Sequence, residues 1–144
     1  MILELERIPD TPILVLYARD PEPGESQPSQ SIATQISALH SKVLDLLEDY
    51  ETIYRVIDFT RLHIDPSDVL HGVAQIGKMR GKPGSLSDPR VRPVFVGKHP
   101  LIEASARTLG NDPNGRPRVA LFKTLDQALD FIDRERGQDS SAIA

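Results

Sequence analysis

TIYRVIDFTRLHIDPSD, residues Thr52 to Asp68, is the stretch on which the fold turns. Ile53, Tyr54, Val56, Ile57 and Phe59 make a short, β-rich and nearly continuous apolar run, as expected of a central strand covered on both faces. Arg55 and Asp58 interrupt it, and Asp58 falls near the strand's C-terminal end. After a loop, Thr60 to Ile64, three signals open a helix. Asp65 can accept hydrogen bonds from the first free backbone N–H groups. Pro66 fits the first helical position, where its missing N–H is not needed. Asp68 suits the positive end of the helix dipole. A strand-to-helix corner of this kind is where open α/β sheets place ligands.

Working outward, the same two periodicities recur. Leu3 and Leu5 alternate with Glu4 and Glu6, as in a half-exposed strand, and Ile13 to Tyr17 is a more buried one. The turn residues Pro9, Asp10 and Pro12 join them into a hairpin. Pro21 to Pro28 is a polar loop. Ile32, Ile36, Leu39, Val43, Leu46 and Tyr50 then form one helical stripe, with Ser29 or Ser31 as its cap. Beyond the corner, Val69, Val73 and Ile76 give the second helix an inner face. Arg80 to Arg90 reads as a solvated loop. Val91 to Val96 is a strand whose Pro93 marks it as an edge strand, or as one beginning at Val94. A third helix opens at His99-Pro100 and stops at Gly110. Val119 to Phe122 is the last strand. Thr124 to Gln127 is a capping box for a final helix that Gly137 should end, leaving 138–144 as a frayed tail. The predicted fold class is α/β, a mixed sheet of about five strands with four helices in the order β-β-α-β-α-β-α-β-α, forming one domain over residues 1–137.

Composition bounds the function. A chain of 144 residues suits a single core, and its net charge of −4 argues against a general nucleic-acid binder. With no Cys there is no disulfide, thiolate metal site or cysteine nucleophile. The acidic start MILELERIPD is unlike a signal peptide, and no run approaches the roughly 20 apolar residues of a membrane span. The expectation is a soluble, cytoplasmic protein.

The order of elements and the corner together resemble a STAS domain, the module of anti-sigma-factor antagonists and sulphate-transporter tails. In that family the central strand ends Asp-x-Ser and the next helix opens Asp-Ser-Ser-Gly. Here the strand ends Asp58-Phe59-Thr60 and the helix opens Asp65-Pro66-Ser67-Asp68. The segment VALFKTLDQALDFI is also similar to the C-terminal unit of uncharacterised bacterial STAS-like proteins. The resemblance implies a non-enzymatic protein-interaction module with no cofactor. Ser67 stands at the phosphorylatable serine, and Asp58, Thr60, Asp65 and Asp68 form the partner-binding surface. The implied partner is a kinase-like anti-sigma factor. Pro66 and Asp68 depart from the pattern. A phosphate on Ser67 would gain about 0.3–1 kcal/mol from the helix N-terminus and would be repelled by Asp65 and Asp68.

Other readings compete. Asp58, His63, Asp65 and His71 could line a small-molecule or catalytic site at the C-terminal strand edge, which requires a concave pocket there. His40, His63, His71 and His99 do not make a compact metal set. Lys78, Arg80, Lys82, Arg90, Arg92 and Lys98 concentrate positive charge around Asp88 and could bind an anion. Gly77 to Lys82 is not a phosphate loop, because the Gly spacing is short and Pro83 replaces the hydroxyl residue. The acids Asp45, Glu48, Asp49 and Glu51 could meet that basic segment in a second copy, and a homo-oligomer through an edge strand is a third reading.

Overall fold

The computed structural model describes residues 2–26, 32–111 and 115–143, without the side chains of 32, 33, 73, 75, 76 and 138–143. Five strands alternate with four helices as the periodicity predicts: β1 (Ile2–Arg7), β2 (Ile13–Arg19), α1 (Ile32–Leu47), β3 (Ile53–Arg61), α2 (Pro66–Met79), β4 (Val91–Val96), α3 (Pro100–Arg107), β5 (Ala120–Phe122) and α4 (Leu125–Ile143). The serines proposed to cap α1 lie outside the described residues, as do the side chains of Val73 and Ile76 on α2.

The strands lie side by side in chain order, β1-β2-β3-β4-β5. β1 and β2 are an antiparallel hairpin, turned at Asp10 with φ 60°. The other neighbours are parallel. Every crossover therefore steps one strand in the same direction. Right-handed crossovers repeated in one direction put their helices on one face. The core shows this: Leu39, Val43 and Leu46 of α1 and Ile102 and Ala106 of α3 share one apolar cluster with Leu14, Leu16, Ile53 and Phe95. After β5 the chain crosses to the other face, where Ala128 and Ile132 of α4 pack on Ile13, Val15, Val56, Val94 and Val96. Alternation along β3 sends Ile53, Arg55, Ile57 and Phe59 to the α1–α3 face and Tyr54, Val56 and Asp58 to the α4 face.

Three expectations are corrected. β4 is an interior strand, between β3 and β5. Its proline is tolerated because pairing with β5 begins only at Val94↔Ala120, one residue beyond Pro93. The free edges are β1 and β5, so Pro93 has no bearing on edge-to-edge association. α4 runs through Gly137 to Ile143 rather than stopping. A glycine ends a helix by taking positive φ, and Gly137 does not take it, whereas Gly110 after α3 does, at φ 73°. Arg80 to Arg90 is not a solvated loop: Ser85, Leu86 and Asp88 are buried.

Candidate functional site

The corner after β3 is built as its residues dictate. Asp65 is extended and its carboxylate accepts the Ser67 N–H at 2.7 Å, Pro66 follows in the first turn, and Asp68 lies in that turn. Ser67 and Asp68 are exposed. Asp58 is 6 % exposed, and its Oδ1 accepts both the N–H and the hydroxyl of Thr60, at 2.8 and 2.7 Å. That pair closes the strand end and leaves the Thr60 hydroxyl donating inward. Of the partner surface expected from Asp58, Thr60, Asp65 and Asp68, Asp58 is buried and the other three residues are exposed.

The corner separates two hollows. One lies at the C-terminal ends of the strands, about 750 Å³, and includes Asp58, Thr60, His63, Lys98, His99 and Lys123. A concave surface does exist there, as a ligand site at the strand edge requires. Several of its polar groups are already used in local structure. Thr60 is held by Asp58, the His99 ring Nδ1 accepts the Leu101 N–H at 3.1 Å to cap α3, and Thr124 Oγ1 accepts the Gln127 N–H at 3.2 Å to open α4. The Gln127 side chain accepts from Lys123 N–H rather than from Thr124, so the capping box closes one residue early. The proposed quartet Asp58, His63, Asp65 and His71 does not converge. Asp58 and His63 line this hollow, while Asp65 and His71 line the other. Opposite ends of the Thr60–Pro66 loop carry them to different sides.

The second hollow is a cavity of about 390 Å³ between α2 and the α1–α3 face of the sheet. Among the described residues, α2 meets α3 more than it meets any strand. The space beneath it is walled by Leu16, Ile36, Leu39, Phe59, Phe95 and Ile102. Phe59 and Phe95 meet edge to face, with centroids 5.5 Å apart. The exposed lining residues are Asp65, Asp68 and His71, which places the opening along the first turns of α2.

Arg55 is set into this apolar wall. It is 8 % exposed, and its one hydrogen bond among the described residues runs from Nη1 to the Gly84 carbonyl at 3.1 Å. Among the described residues its Nε–H has no acceptor, and the neighbouring His40 Nδ1 is likewise buried without a partner. Burial pushes the Arg55 guanidinium down to about 10, still charged at neutral pH. Burial first, then the positive charges of Arg55 and Lys82, hold the His40 imidazole below its ordinary value. Neither residue stood out as a site in the sequence. The signal was there, because a charged residue inside a strand covered on both faces has to be buried.

The basic segment divides. Arg90 forks onto Asp88 with its Nε and Nη2 at 3.2 and 2.9 Å, and Asp88 also accepts the Gly84 N–H at 2.6 Å. The Arg90 guanidinium above all, with the Gly84 and Arg90 N–H groups, holds the Asp88 carboxyl well below the usual carboxylate range despite its burial. Arg92 donates to the Arg118 carbonyl at 2.9 Å, lies 3.7 Å from Glu135 and stacks over Phe131. These two arginines staple the loop and α4, so both guanidinium groups already have partners within the fold. Lys78, Arg80 and Lys82 remain exposed. Among the described residues no His, Asp and Glu group has metal-binding geometry, and no helix is long and apolar enough to cross a membrane. Compared with protein-family models, with curated proteins and with solved structures, the chain matches none.

Proposed function

We propose that this chain is a non-enzymatic binding module of STAS-like organisation whose working element is α2. The outer first turn, with Ser67 and Asp68, is the surface offered to a protein partner, and the cavity beneath receives a small molecule. One observation carries this reading: a hollow of about 390 Å³, walled by Leu16, Leu39, Phe59 and Phe95, lies beneath α2. A well-packed interior has few voids larger than a water molecule. A lined cavity of about 390 Å³ falls within the roughly 300–1,000 Å³ of small-molecule sites. Ser67 is exposed, so a kinase of the type implied by the resemblance would reach it, with Asp65 and Asp68 opposing the added charge.

The test is titration of the full chain with the neutral fluorophore N-phenyl-1-naphthylamine. Saturable enhancement in the native protein is expected, and it should disappear in Leu39→Trp, which fills the cavity wall. A native protein that gives no enhancement at any probe concentration would remove the ligand half of the reading.

A further inference from the structure

The lining carries a feature that an apolar pocket alone does not need. Arg55 brings a full positive charge into the wall, and no carboxylate among the described residues pairs with it. A buried charge without a partner is strongly disfavoured. Its Nε–H and the His40 ring nitrogen are both unpartnered and both belong to the cavity lining. Apart from Ser85, Ser105 and the polar residues at the opening, the rest of that lining is apolar, and it is long in one direction. Arg55, Ile57 and Phe59 succeed one another along the same face of β3, about 13 Å at 3.3 Å per residue, before Leu62, Ile64 and Asp65 lead to the opening.

Resting on the ligand half of the proposed function, we infer that the cavity takes a single-chain amphiphile with a carboxylate head, and that Arg55 is its counter-ion. The head sits against the Arg55 Nε–H at the closed end, and the tail runs along β3 under α2. A carboxylate matches the planar guanidinium and carries one charge for the one cation. A phosphate monoester brings nearly two charges, which leaves an excess buried in an apolar wall. Size excludes a bare acid such as acetate as the complete ligand. A cavity of about 150 Å³ already holds a benzene molecule, and this one is more than twice as large. Asp65 and Asp68 at the opening select against a second negative group on the tail.

Competition against bound N-phenyl-1-naphthylamine tests this with decanoate, decanol, decanedioate and decyl phosphate, all below their micellar concentrations. Decanoate should displace the probe at least tenfold more tightly than decanol and than decanedioate. Arg55→Met should bring decanoate to the level of decanol while leaving decanol unchanged. If Arg55→Met does not fold, the wild-type Arg55 Nε–H resonance gives the same answer, because decanoate should shift it and decanol should not. Probe binding with decanoate no better than decanol would overturn the head-group assignment and leave the binding module standing. Decyl phosphate outcompeting decanoate would overturn the carboxylate in favour of a phosphate head. Failure of the neutral probe and of all four competitors would instead bring down the reading on which this inference rests.

Discussion

The two faces of the sheet are built from the same strands and finished differently. On the α4 face, Val15, Val94, Val96, Ala128 and Ile132 are 0 % exposed and Val56 is 1 % exposed. These positions are apolar and interdigitate, and the Tyr54 hydroxyl at their margin reaches Glu135 at 3.1 Å. On the α1–α3 face, α1 and α3 pack on the strands, while between them α2 bridges a cavity containing a buried arginine. The topology explains the asymmetry. Three helices share one face because every crossover steps the same way. The middle one follows the longest strand and a loop that carries it outward. The face covered by one late helix buries Val15, Val94, Val96, Ala128 and Ile132 fully. If the cavity binds a ligand as proposed, stability and binding fall on opposite sides of one sheet.

The largest expected effect comes from breaking the closed face. Ile132→Ala should cost about 2–5 kcal/mol, the range for deleting a large aliphatic side chain from a rigid core. The denaturant midpoint should fall while the m-value holds. A loss below about 1 kcal/mol would mean that the α4 face relaxes, and the contrast between faces would be lost.

Next comes the staple that holds the loop after α2. Asp88→Asn should cost about 1.5–3 kcal/mol near neutral pH, since it weakens charge-assisted bonds to Arg90 and the Gly84 N–H. The acid limb tests the same group. Its folded carboxyl lies well below its ordinary 3.8. Its stabilisation is therefore fully present above about pH 4 and is lost as the pH falls from there toward the folded value. Asp88→Asn should accordingly flatten the loss of stability below about pH 4. An unchanged acid limb would show that other carboxylates dominate it.

Overpacking sharpens the comparison further. Val56→Phe on the closed face should cost about 1–3 kcal/mol, because no space exists for the ring. Ile36→Phe, on a half-buried wall of the cavity, should stay within about 0.5 kcal/mol of the parent. The decisive quantity is the difference between the two thermal shifts. Equal shifts would mean that the hollow is filled by neighbouring side chains in solution.

Much of this architecture was legible before any coordinate. Asp65, Pro66 and Asp68 announce the start of α2, and Thr124 and Gln127 that of α4, because capping is a local transaction between a side chain and nearby N–H groups. The period-two and helical stripes gave the elements their order. What could not be read was relational. Pro93 looked like an edge residue because its tolerance depends on where β5 begins pairing, 27 residues away in Ala120. Arg92 looked like a free cation because Glu135 meets it only through the fold, whereas the Asp88–Arg90 pair is local. The two hollows share a corner in sequence and diverge in space, so the quartet built on His63 and His71 joined residues that face different ways.

Arg55 gives a small expected change in stability and the clearest statement of the division between faces. An arginine in a strand normally stabilises through a partner, and truncating it would leave that partner buried and unpaired. Here, among the described residues, no acid is left behind. Arg55→Met keeps much of the aliphatic volume, removes a desolvated charge and gives up one bond to the Gly84 carbonyl. Those losses and gains oppose each other, so the melting temperature of the ligand-free protein should stay the same or rise, within about 1 kcal/mol of the parent. The same substitution at a residue kept for folding would cost about 3 kcal/mol or more. A loss of that size would identify Arg55 as a brace for the Gly84 loop. A neutral or stabilising result would mean that the charge is maintained against the interest of the fold, as expected where its counter-ion arrives from outside.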